Sequence, residues 1–510
     1  MLAKVETAAV VGLSAVPVTV EVDVADGLPG VTIVGLPDPT VRESKERIKS
    51  ALKNAQFAWP QTRILVSLAP ADVRKEGSAF DFPIALGLLA ASKQLEPAAF
   101  AETVALGELA LDGSLRPVPG VLPIALSLPG RAKRLLLPEA NAAEAAVADK
   151  VAVVPIRHLQ QAIAFLKGTE EIAPVKADPQ DWMRPQPPDA SDFSEVKGQA
   201  LAKRAIEVAV AGGHNLLLMG PPGAGKTMLA QRIPAIMPGM SLEEALETTR
   251  VYSVANLLPA GRPLMTARPF RAPHHTISDA GLIGGGIIPK PGELSLAHHG
   301  LLFLDELPEF SRAALESLRQ PLEEGAVTVA RIQGTVTFPA RCMLVASMNL
   351  CPCGFSGDPT KSCLCSPSQI HKYRTKVSGP LLDRIDLHLE VPAVGLDDLT
   401  GDGQGESSAS IRVRVEAARA RQRRRFREET SLFCNAQMRH RHLKRWCRIG
   451  PEGRELFRKA IQTLGLSARA YDKILKVGRT LADLAGSEEI QPEHLAEAIQ
   501  YRALDRSTWI

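Results

Sequence analysis

The clearest pattern of apolar and polar positions lies near the start of the chain, where residues 18–24 read V-T-V-E-V-D-V. Strict alternation predicts a strand with one buried face. Further apolar runs predict strands at 64–68, 104–106 and 134–137, and helical spacing predicts helices at 42–54 and 81–92. This mixture predicts an α/β domain in the first third of the chain.

Two breaks in the pattern divide the rest of the chain. Residues 168–191 contain five prolines and little apolar periodicity, as is typical of a linker. A Gly-rich polar stretch at 396–410 separates alternating strands and helices from a mostly helical end. We therefore predict an N-terminal domain at 1–167, a linker at 168–191, an α/β core at 192–393 and a helical lid at 394–510.

Composition narrows the class without naming a function. The 510 residues are 45% hydrophobic and 23% charged, which is typical of a globular protein and excludes disorder as the dominant state. With 60 basic and 56 acidic residues, the net charge of +4 does not by itself indicate a nucleic-acid partner. Seven cysteines, four of them clustered, and the lack of a membrane-length apolar run favour a cytoplasmic protein.

The strongest motif is G-P-P-G-A-G-K-T at residues 220–227, between an apolar strand and a helix. Glycines let backbone N–H groups surround phosphates, and the helix N-terminus adds favourable charge. Lys226 is expected to reach the β- and γ-phosphates, and Thr227 to hold Mg²⁺. The predicted nucleotide-binding residues are Gly220, Pro221, Pro222, Gly223, Ala224, Gly225, Lys226 and Thr227.

A second apolar run, at 300–304, ends in the carboxylates Asp305 and Glu306. We expect Asp305 to complete the Mg²⁺ shell and Glu306 to act as general base on the attacking water. Two acids at a strand end are common in isolation, but the upstream phosphate loop favours the catalytic interpretation.

Two later polar residues extend the predicted site. Asn349 ends another apolar strand, where an amide is suited to orient a water or to contact the γ-phosphate. Arg384, in G-P-L-L-D-R-I-D, is a candidate to stabilise phosphoryl-transfer charge in a neighbouring subunit. The alternative for Arg384 is a surface ion pair.

These motifs together resemble an AAA+ ATPase of the magnesium-chelatase-like clade, and within it the ComM (YifB) family. The similar segments span the chain and include VGLPDPTVRESKERIKSAL, RPFRAPHHTISDAGLIGGG and CPCGFSGD. The resemblance implies a ring, hexameric in the family, with ATP sites between subunits. It also implies roles for the matching residues: Walker A for Lys226 and Thr227, Walker B for Asp305 and Glu306, sensor 1 for Asn349, the trans finger for Arg384 and sensor 2 for Arg469.

Two segments are candidates to face the pore of such a ring. Residues 325–339 form two alternating runs around Gln333-Gly334, which predicts a hairpin with Arg331 near its tip. Residues 268–290 are rich in Gly, Pro and basic groups. We expect Arg331, Lys290 and Arg271 to contact DNA phosphates, with a solvated hairpin as the alternative. For the arginine-rich stretch 412–427 we favour a solvated lid face over a DNA site.

The cysteine cluster consists of two close pairs, Cys351 with Cys353 and Cys363 with Cys365. Four thiolates suit a tetrahedral structural Zn²⁺. The C-x-C spacing is tighter than the familiar C-x₂-C, so four reduced thiols in a turn remain the alternative.

The N-terminal domain resembles the ribosomal-S5-like fold of the Lon protease catalytic domain and the RadA C-terminal domain. The segment K-E-G-S-A-F-D, with Ser78, stands near the position of the Lon serine. Leu122 occupies the place of the lysine that such a protease needs to activate its serine. We therefore expect a non-proteolytic scaffold that helps ring assembly or DNA engagement.

The residues themselves indicate an ATPase that uses ATP and Mg²⁺. The resemblance implies a helicase or translocase that migrates branch points in single-stranded and branched DNA during natural transformation and recombination. The rival functions are a magnesium-chelatase motor subunit or another protein-remodelling AAA+ ATPase, an ATP-dependent protease, and a nucleotide-gated scaffold. The first rival needs a partner with a D-x-S-x-S metal site, and the second needs the missing lysine.

Overall fold

A computed structural model describes residues 1–183, 192–259, 261–286, 289–331, 334–356, 361–393, 405–429, 432–464 and 467–502. Part of the predicted linker, the predicted boundary at 394 and Gln333 lie outside these residues. Among the described residues, no helix is both long and apolar enough to cross a membrane.

The N-terminal region contains both strands and helices. The strands are β1 (Leu2–Val11), β2 (Ser14–Ala25), β3 (Gly30–Val34), β4 (Arg63–Ala69), β5 (Thr103–Ala105), β6 (Glu108–Leu109), β7 (Leu115–Arg116), β8 (Arg134–Pro138) and β9 (Ala152–Ile156). The helices are α1 (Pro39–Asn54), α2 (Asp81–Ala91), α3 (Val121–Ser127), α4 (Glu139–Ala146), α5 (Leu159–Leu166) and α6 (Pro179–Trp182).

From residue 192 onward the chain contains strands and helices, and the described elements after residue 390 are helices. The strands are β10 (Leu216–Met219), β11 (Phe270–Arg271), β12 (Gly284–Gly285), β13 (Lys290–Pro291), β14 (Leu301–Leu304), β15 (Ala326–Arg331), β16 (Gly334–Pro339), β17 (Met343–Met348) and β18 (Leu387–Glu390). The helices are α7 (Ala200–Gly212), α8 (Lys226–Ile236), α9 (Leu242–Ala255), α10 (Asp279–Ile283), α11 (Glu293–Leu296), α12 (Arg312–Ser317), α13 (Arg319–Glu324), α14 (Pro367–Arg374), α15 (Gly379–Leu382), α16 (Ser408–Arg425), α17 (His440–Trp446), α18 (Pro451–Leu464), α19 (Ala468–Ala485) and α20 (Pro492–Gln500).

The chain forms two compact units whose sequence ranges interleave. It passes from the first unit to the second near residue 184, and residues 242–266 belong to the first unit again. Helix α9 is therefore part of the N-terminal unit although it follows the predicted phosphate loop. Its Ser253 hydroxyl donates to the buried Glu144 carboxylate at 2.5 Å, and its Arg250 donates to the Leu13 carbonyl at 2.6 Å.

The first unit is built on a seven-stranded mixed sheet in the order β3-β4-β2-β1-β5-β8-β9. The alternating segment predicted at 18–24 lies in β2, whose valines Val18, Val20 and Val22 are fully buried. Helix α2 packs against β1 and β2 and is buried along its whole length, as expected for a helix that is apolar on all sides. The structure confirms a mixed α/β unit here, while the S5-like likeness stays a prediction.

The second unit contains a five-stranded sheet in the order β11-β14-β17-β10-β18, and every adjacent pair is parallel. Strands β10, β14 and β17 are buried throughout, as parallel strands covered on both faces should be. In such a sheet, the loops at the carboxyl ends of the strands form the usual ligand-binding edge. The predicted phosphate loop follows β10, and Asp305 and Asn349 follow β14 and β17 closely.

A buried ion pair joins this sheet to the C-terminal helices of the same unit. Asp386, just before β18, accepts from the Asn215 N–H at 3.2 Å and lies 3.0 Å from the Lys473 ammonium of α19. Burial by itself would raise the pKa of the Asp386 carboxyl, but Lys473 holds this pKa well below its usual range. A lowered pKa means that the pair stabilises the fold at neutral pH, and that this contribution is lost only as strong acid protonates Asp386.

We expect Asp386→Asn to lower the free energy of unfolding by about 3 kcal/mol, because it leaves the Lys473 charge buried without its partner. Asp383→Asn is the matched control, since the Asp383 carboxylate makes a more exposed ion pair worth less than about 1 kcal/mol. Thermal unfolding of the full chain at pH 7 measures both. Equal unfolding midpoints for the two variants would contradict a structural role for Asp386.

Candidate nucleotide site and neighbouring clusters

The predicted phosphate loop connects the buried strand β10 to helix α8. Gly223 and Gly225 have φ angles of 79° and 80°, in the left-handed region that glycine adopts without strain. A Cβ atom on Gly220 would lie 2.1 Å from the Val391 carbonyl oxygen, so this position has no space for a side chain. A Cβ on Gly223 would meet no atom within 4 Å, so the space next to this residue is open.

Lys226 lies at the first turn of α8 and is 8% exposed. Its ammonium donates to the carbonyls of Gly220 and Pro221, both at 2.9 Å, and to Asn349 Oδ1 at 3.1 Å. Burial lowers the pKa of Lys226, against the opposing effect of the Asp305 and Glu306 carboxylates. The ammonium therefore lies against the glycine-rich loop. This position suits an ionic contact with the phosphates of a bound nucleotide.

Thr227, Asp305 and Ser347 form a hydrogen-bonded group beside Lys226. The Thr227 hydroxyl donates to Asp305 Oδ2 at 2.6 Å, and the Ser347 hydroxyl donates to Asp305 Oδ1. A hydroxyl and a carboxylate at this distance are the oxygen ligands that Mg²⁺ prefers. Ser347 was not among the residues predicted from the sequence. Its place follows from the strand register, since Leu304 pairs with Ala346 and so places Asp305 beside Ser347.

Asn349 meets the phosphate loop because β17 runs parallel to β10. Met219 pairs with Met348, so the residue after each strand lies at the same edge of the sheet. The Asn349 amide oxygen there accepts from Lys226. The structure thus brings together four of the predicted residues, Lys226, Thr227, Asp305 and Asn349.

Glu306 projects from the same edge and is held by its backbone. Its φ is 54°, and its N–H donates to Asp305 Oδ1 at 3.1 Å and to the Ser347 hydroxyl at 3.3 Å. The side chain is mainly exposed, and one carboxylate oxygen lies 3.7 Å from His275 Nδ1. Nothing in the local sequence of His275 links it to Glu306, so this contact was not predicted.

Arg384 lies at the opposite edge of the parallel sheet. It precedes β18, and its carbonyl accepts from the Asn215 side chain, which precedes β10. Lys226 follows the far end of β10, and the four residues of that strand span roughly 13 Å. The Arg384 guanidinium forms an ion pair with Glu323 of α13 and donates to the Pro380 carbonyl at 2.7 Å.

Arg469, at the start of α19, is also at this second edge. Its guanidinium lies 3.7 Å from the Asp383 carboxylate, next to Arg384 in sequence. The five predicted catalytic residues therefore fall into two groups. Asp305, Glu306 and Asn349 are at the phosphate-loop edge, whereas Arg384 and Arg469 are at the other.

The predicted hairpin forms, but Gly334, which was expected in its turn, belongs to a strand. Arg331 pairs with Gly334, so Gly334 is the first residue of β16. The sequence placed the turn at Gln333-Gly334 because glycine favours tight turns. Arg331 ends β15, and Lys290 is exposed in the neighbouring two-stranded sheet of β12 and β13.

The third candidate for DNA contact is already engaged. The Arg271 guanidinium donates to both carboxylate oxygens of Glu293, each at 2.6 Å. A two-point ion pair of this kind is strong and geometrically defined. Much of the Arg271 charge is therefore already balanced by Glu293, which weakens the case for a phosphate contact.

The arginine-rich stretch lies mostly in helix α16, and its arginines are half-buried or exposed. Arg414 forms ion pairs with Glu207 and Glu406, and Arg425 forms one with the fully buried Asp483. These ion pairs stay within the chain, so at least these two arginines have a structural role in attaching the helix.

The four clustered cysteines converge as predicted. The Cys351–Cys353 Sγ distance is 3.3 Å, and the Cys363 Sγ lies 3.6 Å from each of them. All four ligand atoms, including that of Cys365, lie within 4.8 Å of one another. Backbone N–H groups of Phe355 and Leu364 lower the pKa of the Cys353 thiol to about 6. Four sulfur atoms on a tetrahedral Zn²⁺ are about 3.8 Å apart, so the cluster fits that metal.

In the N-terminal unit, Ser78, near the position of the Lon protease serine, is hydrogen-bonded to a carboxylate. The Ser78 hydroxyl donates to the Glu108 carboxylate. Leu122, at the place of the protease lysine, is fully buried in α3, and its N–H donates to Glu144 at 3.0 Å. Nearby, burial raises the pKa of Asp81 to about 6 although Arg47 binds both of its carboxylate oxygens.

Comparison with known families defines the class of protein. Residues 192–399 match the family described as "Magnesium chelatase, subunit ChlI". Residues 20–141 match "Subunit ChlI of Mg-chelatase", and residues 405–502 match "Magnesium chelatase, subunit ChlI C-terminal". The chain is thus a magnesium-chelatase-like AAA+ protein, a class that implies a nucleotide and Mg²⁺.

Similar proteins narrow this class. The competence protein ComM of Haemophilus influenzae is 45% identical over 509 residues, which cover 99% of this chain and 98% of that protein. The YifB proteins of Salmonella typhimurium and Escherichia coli are 42% and 43% identical, each over 99% of this chain and 98% of their own length. The chain belongs to the ComM/YifB family, as its motifs predicted.

Proposed function

We propose that this protein is an ATP-hydrolysing ring motor that acts on DNA, with each ATP site shared between two subunits. The observation that supports it is the separation of the predicted catalytic residues onto two edges of one sheet. Arg384 cannot reach the nucleotide loop of its own chain without unfolding β10. A second copy, presenting Arg384 to that loop, would complete the site, and repetition of this head-to-tail contact generates a ring.

The residues at the phosphate-loop edge divide the binding of ATP and Mg²⁺ between them. Lys226 would exchange its two carbonyl acceptors for phosphate oxygens, which satisfy a buried ammonium better. Thr227 and Asp305 would hold Mg²⁺, which supplies positive charge beside the β- and γ-phosphates. Ser347 keeps the Asp305 carboxylate turned toward Thr227.

Glu306 and Asn349 would act on the attacking water. The Glu306 carboxylate is exposed at the same edge as Asp305, and it would accept the water's proton. Asn349 would orient the same water or the γ-phosphate. Arg384 and Arg469 of the adjacent subunit would then stabilise the charge that develops on the transferred phosphoryl group.

DNA is the proposed substrate because of one relative and two neighbouring β-ribbons. The relative from Haemophilus influenzae is named a competence protein, and the resemblance to the ComM family implies DNA as the substrate. Lys290 is exposed on the β12–β13 ribbon, which neighbours the β15–β16 hairpin, and Arg331 is the last residue of β15. Basic residues at such positions would contact phosphates and would not read the base sequence. We propose that the ring moves branch points in homologous recombination.

A motor subunit of a chelatase is the second candidate, because three family matches carry that description. Such a motor would work on protein partners and would gain nothing from DNA. The two functions therefore separate on whether DNA stimulates ATP hydrolysis.

Labelled three- and four-strand DNA junctions test whether the protein is a DNA motor. We expect the purified protein to convert them in an ATP-dependent reaction, and Glu306→Gln to bind ATP while its turnover falls by about 10²–10⁴-fold, because the water loses its general base. Junction conversion and ATPase rate are measured side by side. An active parent that neither converts junctions nor responds to DNA would support the chelatase-type function instead.

We further propose that Cys351, Cys353, Cys363 and Cys365 bind one structural Zn²⁺. The sulfur distances and the backbone N–H donors around Cys353 support this assignment. A closed set of four thiolates leaves no open position for a substrate, so the metal would serve the fold.

Protein purified without chelator is expected to contain about one zinc per chain by elemental analysis. Cys363→Ser should remove most of it, whereas Cys447→Ser, which changes a buried cysteine of the lid, should not. Four cluster thiols that react freely with a thiol reagent in the native protein would contradict the assignment.

A further inference from the structure

The cysteine cluster lies directly behind the nucleotide site. Strand β17 ends at Met348, Asn349 follows it, and Cys351 is only two residues further on. Asn349 is the residue whose amide oxygen binds the Lys226 ammonium. A displacement of Cys351 is therefore transmitted to Asn349 through two peptide units.

A second contact joins the cluster to the phosphate loop itself. Gly354, in the turn after Cys353, has a φ of 86°. A Cβ atom on it would lie 2.6 Å from both Cγ and Cδ of Pro222, and 3.8 Å from Nδ2 of Asn349. The backbone of the cysteine turn thus packs against the phosphate loop with no space for a side chain between them.

Hydrogen bonds within the turn fix its position relative to Cys351. The Ser356 N–H donates to Cys351 Sγ at 3.2 Å, and the Gly354 N–H donates to the Cys351 carbonyl at 3.0 Å. Arg374 of α14 donates to the Leu350 carbonyl at 3.0 Å from the other side. Among residues 351–356 and 361–365, only Cys351 and Gly354 are buried, so apolar burial contributes little to holding this described part of the turn.

We propose that the metal-loaded cysteine cluster is a positioning element of the ATP site, which holds Pro222 and Asn349 in the arrangement that binds nucleotide. This inference rests on the zinc site proposed above. A metal bound by all four thiolates would fix Cys351, Cys353 and the adjoining Gly354 relative to Cys363 and Cys365. Without the metal, the thiol groups lose their common ligand, and Gly354, which packs against Pro222, is held less firmly.

The test measures binding rather than turnover. A fluorescent ATP analogue is titrated into the zinc-loaded protein and into Cys363→Ser/Cys365→Ser, whose altered residues are the two cluster cysteines furthest in sequence from Asn349. We expect about tenfold weaker binding, as for the loss of one hydrogen bond to a charged group. Cys447→Ser is the matched control and should bind the analogue like the parent. Thermal unfolding of each variant checks that the chain remains folded.

A second variant distinguishes the effect of losing the metal from the effect of disturbing the contact between Gly354 and Pro222. Gly354→Ala keeps all four cysteines but forces a Cβ against Pro222, so it should retain zinc and still bind the analogue more weakly. Loss of zinc with unchanged nucleotide affinity, or unchanged affinity in Gly354→Ala, would overturn the positioning role while leaving the zinc site intact. A parent protein without zinc would instead overturn the zinc site itself.

Discussion

The direction of the strands in one parallel sheet is the constraint on which the proposed activity depends. Because β10 and β18 run the same way, the loop after β10 and the turn before β18 are at opposite edges. The first carries Lys226 and the second carries Arg384. No side-chain rotation brings an arginine across a buried four-residue strand, so a site that needs both groups needs two copies of the chain.

The attachment of the C-terminal helix α19 also depends on the position of β18 in this sheet. Asp386 lies two residues beyond Arg384 and joins β18 to α19 through the Lys473 ion pair, and α19 begins beside Arg469. The arginine pair and the lid helix are therefore parts of one edge.

The local parts of the site could be predicted from the sequence. A glycine-rich loop between a strand and a helix has one well-known arrangement, and Asp305 and Asn349 follow short apolar runs that predict buried strands. The hairpin at 326–339 was also local, but Gly334 was assigned to its turn and belongs to β16, because register is set by strand pairing and not by the presence of glycine.

Contacts between distant segments could not be predicted in this way. Nothing near Arg271 shows that Glu293 will neutralise it, since the pair depends on how two loops meet. The membership of α9 in the N-terminal unit depends on partners such as Glu144, about a hundred residues earlier. The closeness of the cysteine turn to Pro222 likewise depends on the order of strands in the sheet, which no single motif specifies.

The most direct measurement of the shared site is ATP hydrolysis by mixtures of two inactive variants. Arg384→Ala keeps its phosphate loop but lacks the arginine, and Lys226→Ala keeps the arginine but lacks the ammonium that binds phosphate. Each alone should lose about 10³-fold or more of the parent rate, and an equimolar mixture should recover measurable hydrolysis at interfaces where each supplies the missing group. If mixing restores nothing although the two proteins assemble together, the ATP site is not shared between subunits and the account is wrong.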